Sequence, residues 1–142
     1  MLVRDVMTAR AEFISPDTTV HQAANKMREL DVGFLPIGEN DRLVGMLTDR
    51  DITLRTVAEG KDPDATTVAD IMTRRVEYCY DDQDVKQAGE HMKTDRIRRL
   101  VVLDHDKRLV GVCSLGDIAL KGTGHELAGD VLHGVSRSDR KK

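Results

Sequence analysis

Leu43-Val44-Gly45-Met46-Leu47-Thr48-Asp49-Arg50-Asp51-Ile52 returns 66 residues later as Leu109-Val110-Gly111-Val112-Cys113-Ser114-Leu115-Gly116-Asp117-Ile118. The doubling extends outward from there. Val3-Arg4-Asp5-Val6-Met7-Thr8 returns as Val68-Ala69-Asp70-Ile71-Met72-Thr73, and Val20, Gln22, Ala23 and Met27 return as Val85, Gln87, Ala88 and Met92, both at an offset of 65. The chain is a duplication. A duplicated unit of this length pairs with its copy, so sites are expected in related pairs at the seam between the two.

Each copy reads the same way. A short apolar strand, Phe13-Ile14 in one copy and Val76 to Tyr80 in the other, meets a polar turn, Ser15 to Thr18 or Asp81 to Asp84, that opens a helix. Val20, Ala23, Ala24 and Met27 fall at i, i+3, i+4 and i+7, as do Val85, Ala88, Gly89 and Met92, which gives each helix one apolar face lined with small residues. Two strands follow as a hairpin: Phe34 to Ile37 and Leu43 to Leu47 across Gly38 to Arg42, then Leu100 to Leu103 and Leu109 to Cys113 across Asp104 to Lys107. A closing helix is expected from near Asp51 and near Asp117. The order per unit is strand, helix, strand, strand, helix behind a short leading helix, an α+β arrangement. The expected units are 1–60 and 68–122, joined by a polar linker over 61–67. A tail over 123–142 carries a weakly amphipathic helix over 124–135 and then a polar, basic end expected to fray.

Composition narrows the function classes. A chain of 142 residues suits one ordinary domain with a real core. With 22 Lys and Arg against 25 Asp and Glu, a net charge of −3 gives no field that favours nucleic acid or membranes. Only 3% of residues are aromatic and Trp is absent, so a base-stacking platform is not expected and the core must be aliphatic. Cys79 and Cys113 lack CxxC spacing and are not repeat-equivalent, which argues against a disulfide and for a reducing compartment. No run reaches the roughly 18 apolar residues that span a bilayer, and the start has no apolar signal core, so a cytoplasmic protein is expected. His91, His105 and Cys79 do not have zinc-ligand spacing, and no metal site is expected. No pairing of nucleophile with base stands out, so no enzyme is expected. Met7, Met27, Met72 and Met92 recur at matched positions and read as core filling.

The chemistry-bearing stretch is the opening motif itself. Each copy runs from a strand through a hydroxyl residue, Thr48 or Ser114, to an acid three positions on, Asp51 or Asp117, at the start of a helix. Unpaired N–H groups there suit an anion, the hydroxyl can join them, and the carboxylate can accept from a pair of ribose hydroxyls. A nucleoside phosphate fits that set. The same residues also suit a plain helix cap with an acid in the first turn. Residue chemistry alone leaves both readings open.

The leader Asp-Val-Met-Thr or Asp-Ile-Met-Thr, the Leu35-Pro36-Ile37 strand and the Gly-h-h-Thr/Ser-x-x-Asp-h motif, h being apolar, resemble the cystathionine β-synthase (CBS) domain twice over. The resemblance covers residues 1 to about 121 and is that of a tandem pair, or Bateman module. It implies two units packed through their sheets as a pseudo-twofold disc, with clefts for adenine nucleotides or related adenosyl ligands, and pairing into homodimers. By position it makes Asp51 and Asp117 ribose-binding carboxylates and Thr48 and Ser114 phosphate-facing hydroxyls. Arg98 and Arg99 begin a strand similar to one in the gamma subunit of AMP-activated protein kinase, where basic residues contact phosphate. Gly116 stands where that relative has a hydroxyl, which removes one phosphate contact.

The copies differ in their cations. The first has Gly33-Phe34 where the second has Arg98-Arg99, and carries Arg50 where the second has Gly116. Arg suits phosphate because its planar fork donates in pairs and stays charged. The Asp117 cleft is therefore expected to bind phosphate better. Ile14, Leu35, Pro36, Tyr78 and Val101 are the candidate apolar walls for adenine, and equally candidates for ordinary core. The resulting expectation is a regulatory sensor of AMP, ADP or ATP, or alternatively of S-adenosylmethionine or NAD, that signals to an effector protein. The competing readings are a ligand-free dimeric scaffold or stress-response interaction protein, and a nucleotide-processing enzyme.

Overall fold

The two leaders decide how this chain divides. The computed structural model describes residues 1–9, 13–122 and 125–137. In chain order the elements are α1 (Val3–Val6), β1 (Thr8–Ala9), α2 (Val20–Leu30), β2 (Phe34–Glu39), β3 (Arg42–Thr48), α3 (Asp49–Ile52), α4 (Val68–Ile71), β4 (Tyr78–Tyr80), α5 (Val85–Asp95), β5 (Arg99–Leu103), β6 (Leu109–Ser114), α6 (Leu115–Lys121) and α7 (His125–Ser136). A π-helical turn over Thr53–Val57 extends α3. The compact units are Glu12–Val76, and Met1–Ala11 together with Glu77–Lys142.

These units do not coincide with the repeats. Each leading helix lies in the compact unit built on the other repeat: α4 with residues 12–76, and α1 with residues 77–137. The cause is a matched set of backbone hydrogen bonds. Val68 N donates to Thr18 O at 2.8 Å, Ala69 N to Pro16 O at 3.0 Å, and Val20 N to Thr66 O at 2.9 Å. Sixty-five positions away in each register, Val3 N donates to Gln83 O at 2.8 Å, Arg4 N to Asp81 O at 3.0 Å, and Val85 N to Met1 O at 2.9 Å. A helix of four residues cannot hold itself in water, so tertiary docking must stabilise it. Val3 and Val6, and likewise Val68 and Ile71, are buried as they dock.

The long helices are specified at both ends. Thr19 Oγ1 accepts from Gln22 N while Gln22 Oε1 accepts from Thr19 N, a reciprocal cap on α2. On α5, Asp84 Oδ1 accepts from Lys86 N and Gln87 Oε1 accepts from Asp84 N. Both helices stop at a left-handed residue, Asp31 at φ 56° and Arg96 at φ 55°, positions 65 apart.

In residues 12–76, β2 and β3 form an antiparallel pair with Leu35 opposite Leu47 and Pro36 opposite Met46. In the other unit a four-stranded sheet runs β1-β6-β5-β4, with β4 parallel to β5 and the rest antiparallel. Three expectations change here. Phe13-Ile14 is not a strand; Ile14 makes only an isolated parallel bridge to Ile37. The strand expected over Val76 to Tyr80 is confined to Tyr78–Tyr80. The closing helices start earlier than Asp51 and Asp117, at Asp49 and Leu115, because Thr48 and Ser114 are the capping residues. The tail helix expected over 124–135 appears as His125–Ser136; residues 123–124 and 138–142 of the expected tail lie outside the described residues.

Two aliphatic cores result, one of them Val20, Ala23, Met27, Leu35, Ile37, Leu47, Val68, Ile71 and Met72. The other joins Val3 and Val6 to Val85, Ala88, Met92, Leu100, Val102, Cys113 and Ile118, with Ala128 and Val131 of α7 closing it. No helix among the described residues is long and apolar enough to cross a membrane.

Two outcomes follow. Ile71→Ala removes a side chain that is 1% exposed and should cost about 2–5 kcal/mol. Hydrogen exchange should show the loss in β2 and β3 rather than in β5, the reverse of what the repeat boundaries imply. Burial pushes the Cys79 and Cys113 thiols up to about 12, from 9.0. The folded chain thus holds those protons where the unfolded chain releases them, so their contribution is intact below pH 9 and is lost between pH 9 and 12. Alkaline unfolding followed by circular dichroism should fall less steeply with pH in Cys113→Val, and thiol reagents should modify neither cysteine until denaturant is added.

Candidate functional site

The acids of the repeated motif are where polar side chains converge. In residues 12–76, Thr48 Oγ1 accepts from Asp51 N at 3.0 Å and Asp51 Oδ2 accepts from Thr48 N at 3.0 Å. In the other unit, Ser114 Oγ accepts from Asp117 N at 2.9 Å and Asp117 Oδ2 accepts from Ser114 N at 3.0 Å. Both are capping boxes with an aspartate in place of the usual Glu or Gln. The capping role proposed for these hydroxyls is therefore real, yet it leaves each hydroxyl proton free to donate elsewhere.

One carboxylate oxygen of each acid is committed to the cap, and the other faces a second set of groups. Thr8 Oγ1 donates to Asp117 Oδ1 at 3.3 Å, and Lys121 Nζ lies 3.7 Å from that same oxygen. Arg55 Nη1 lies 3.8 Å from Asp51 Oδ1, donates to Ile71 O at 2.9 Å and reaches Thr73 Oγ1 at 3.4 Å. Thr8 and Thr73 are repeat mates, and leader docking brings Thr8 to Asp117 itself and Thr73 to Arg55, the cation paired with Asp51. Both acid side chains are 14% exposed, so each carboxylate is held by the protein but reachable. With α3 only four residues long and α6 seven, the carboxylate rather than a helix dipole is the defining feature.

Thr8, Thr73, Arg55 and Lys121 were not among the residues singled out in the sequence. The two threonines had a signal, their recurrence inside the leader, and the two cations sit four positions after an acid, as helical neighbours do.

The remaining candidates scatter. Arg50 is exposed, and its N–H is tied to Asp49 Oδ1 at 2.9 Å. Arg98 and Arg99 are exposed at the start of β5: Leu115 N donates to Arg98 O at 2.9 Å, and Arg99 is opposite Ser114, which sets both beside the Asp117 cap. Leu35 belongs to the core under α2, with Ile14 packed against that core. Pro36 and Val101 are buried on the opposite faces of their strands. Val101 pairs with Tyr78 across β4 and β5, and Tyr78 meets Tyr80 edge to face at 5.8 Å. Of the five proposed walls, Tyr78 is the exposed one.

The motif glycine explains the leader's approach. A Cβ on Gly111 would stand 2.6 Å from Thr8 O, and one on Gly45 would stand 3.0 Å from Thr73 O. Only a glycine lets the leader backbone come that near. The CBS domain model matches residues 3–56 and again 68–122. The chain belongs to the CBS domain family. The CBS domain-containing protein YhcV of Bacillus subtilis is 37% identical over 137 residues, 96% of each chain. Hypoxic response protein 1 of Mycobacterium tuberculosis is 38% identical over 117 residues, 82% of this chain and 81% of that one. The CBS domain pair of protein MJ0100, solved in complex with 5'-methylthioadenosine and S-adenosyl-L-methionine, superposes with a TM-score of 0.74 at 27% identity, covering 84% of this chain and 93% of the other.

Because the CBS hydroxyls are structural caps, Thr48→Ala and Ser114→Ala should each cost about 1 kcal/mol with no ligand present. Urea unfolding is the check, and Ser114→Thr should be near neutral.

Proposed function

We propose that this tandem CBS chain is a regulatory module that binds an adenosyl ligand at the Asp51 and Asp117 sites and passes its occupancy to an effector protein. The observation that carries this reading is the common construction of the two sites: a reachable carboxylate fixed by its own cap, with a helical cation at its other oxygen and a leader threonine bonded to the acid in one site and to the cation in the other. Vicinal ribose hydroxyls are donors that suit such an acceptor, and the threonine and capping hydroxyls suit phosphate or sulfonium substituents next to it. The adenosyl ligands in the MJ0100 pair support the same chemistry.

Arg98 and Arg99 begin the strand beside the Asp117 cap and Lys121 pairs with its acid, against Arg55 on Asp51, so the Asp117 site is the better phosphate binder and AMP, ADP and ATP are its favoured ligands. Binding regulates by favouring one arrangement of the chain that the partner distinguishes. No catalytic step is involved, and the protein works in the cytoplasm. We infer that the module works as a homodimer, with Leu54 and Leu120, repeat mates that are 45% and 86% exposed, as candidate contact residues.

Calorimetric titration with AMP, ADP, ATP and S-adenosylmethionine tests this. The parent should bind saturably, and Asp117→Asn, which keeps an oxygen for Ser114 N, should weaken AMP by about tenfold or more, as loss of a charged acceptor does. Asp51→Asn should weaken AMP less. No heat from the parent with any of the four leaves a scaffold as the function, and product formed from ATP makes it an enzyme.

A further inference from the structure

On the second repeat, away from the capped carboxylates, a different group of side chains gathers. Glu77 immediately precedes β4 and is anchored there by Val101 N, which donates to Glu77 O at 3.2 Å. His91 and Asp95 lie four apart on α5, so they share a helix face. His91 Nε2 is 3.1 Å from Asp95 Oδ2 and 3.5 Å from Glu77 Oε1, and one ligand atom from each residue falls within 4.8 Å of the others. Side-chain exposure is 30% for His91, 28% for Asp95 and 18% for Glu77, enough for an ion to enter and for water to complete its shell.

The spacing suits a ligand set as well as a plain ion pair. A cation held at about 2.0–2.2 Å by nitrogen and oxygen puts neighbouring donors about 3.3–3.6 Å apart in a tetrahedron and about 2.8–3.1 Å apart in an octahedron. The 3.5 Å from His91 to Glu77 falls in the first range and the 3.1 Å to Asp95 in the second, so a tetrahedral ion needs Asp95 to draw back from His91 by a few tenths of an ångström. The three ligand atoms lie within 4.8 Å of one another, and the carboxylates settle onto an ion by pivoting about their side-chain torsions. A neutral imidazole contributes one lone pair and leaves two carboxylate charges to be balanced, which a dication does. The set is also local to one repeat: the positions of His91 and Asp95 are Lys26 and Leu30 in the other copy, so duplication of a structural feature does not account for it.

We propose that Glu77, His91 and Asp95 form a site for a divalent transition-metal ion, with one imidazole and two carboxylates favouring Zn2+ and a water in the open position. Glu77 and Asp95 have further polar partners, which the ion displaces on binding. The site ties the lead-in to β4 to the end of α5, so occupancy stiffens that side of the sheet independently of any adenosyl ligand.

The test is titration of the untagged, chelator-treated full chain with Zn2+ against a chromophoric competitor, with thermal melting alongside. One Zn2+ per chain and a melting temperature that rises with Zn2+ are expected. His91→Ala and, as a milder change, Asp95→Asn should each lose about tenfold or more in affinity, since even outer-shell losses cost 10–100-fold. His105→Asn, in the separate His105 and Asp82 pair at 2.7 Å, should leave Zn2+ affinity unchanged. No Zn2+ bound by the parent, or binding that survives in folded Asp95→Asn and His91→Ala, overturns the proposal. Because AMP is absent throughout, failure here leaves the adenosyl reading standing.

Discussion

Everything in this molecule hangs on short leaders that cannot fold alone. Each supplies one turn of helix and a few residues of extended chain, too little to bury an apolar face or satisfy its own backbone. Docking solves both problems at once. The leader's free N–H groups meet carbonyls in the turn that opens the other repeat's long helix, and its two apolar residues complete that helix's core. The leader strand then lies against the motif glycine, where any side chain would collide with it.

That docking is also what makes the acids more than caps. A capping box by itself satisfies two N–H groups and leaves a carboxylate oxygen to water. Here a cation one helical turn on faces that oxygen in both units, and at Asp117 the leader threonine donates to it as well, so one residue serves both as a structural cap and as the centre of a polar cluster. The cost is coupling, because any change in the leader's seat reaches the acid directly.

Duplication, the two helical faces, the hairpins and the acids were legible in the sequence because each is a local pattern. The exchange of leaders was not. Val3 and Val68 sit in nearly identical sequence, so the local pattern fits either partner equally, and only long-range geometry chooses. The same limit applies to the walls: Leu35 and Pro36 are adjacent apolar residues, but strand alternation sends Leu35 under α2 and Pro36 to the other face. Helix starts were misplaced by two residues because the acid drew attention from the hydroxyl that does the capping. Glu77 could not be joined to His91 and Asp95, since strand pairing brings it there and no periodicity records it.

The bond from Thr8 to Asp117 spans 109 residues, whereas α4 sits only a few tens of residues from the helix it docks on. During synthesis the unit of residues 12–76 has all its partners once Val76 leaves the ribosome, while α1 waits for residues 81–85 and β1 for β6. The order of manufacture and the order of folding are therefore inverted for this leader, which is made before residues 12–76 and needs shielding after they have folded.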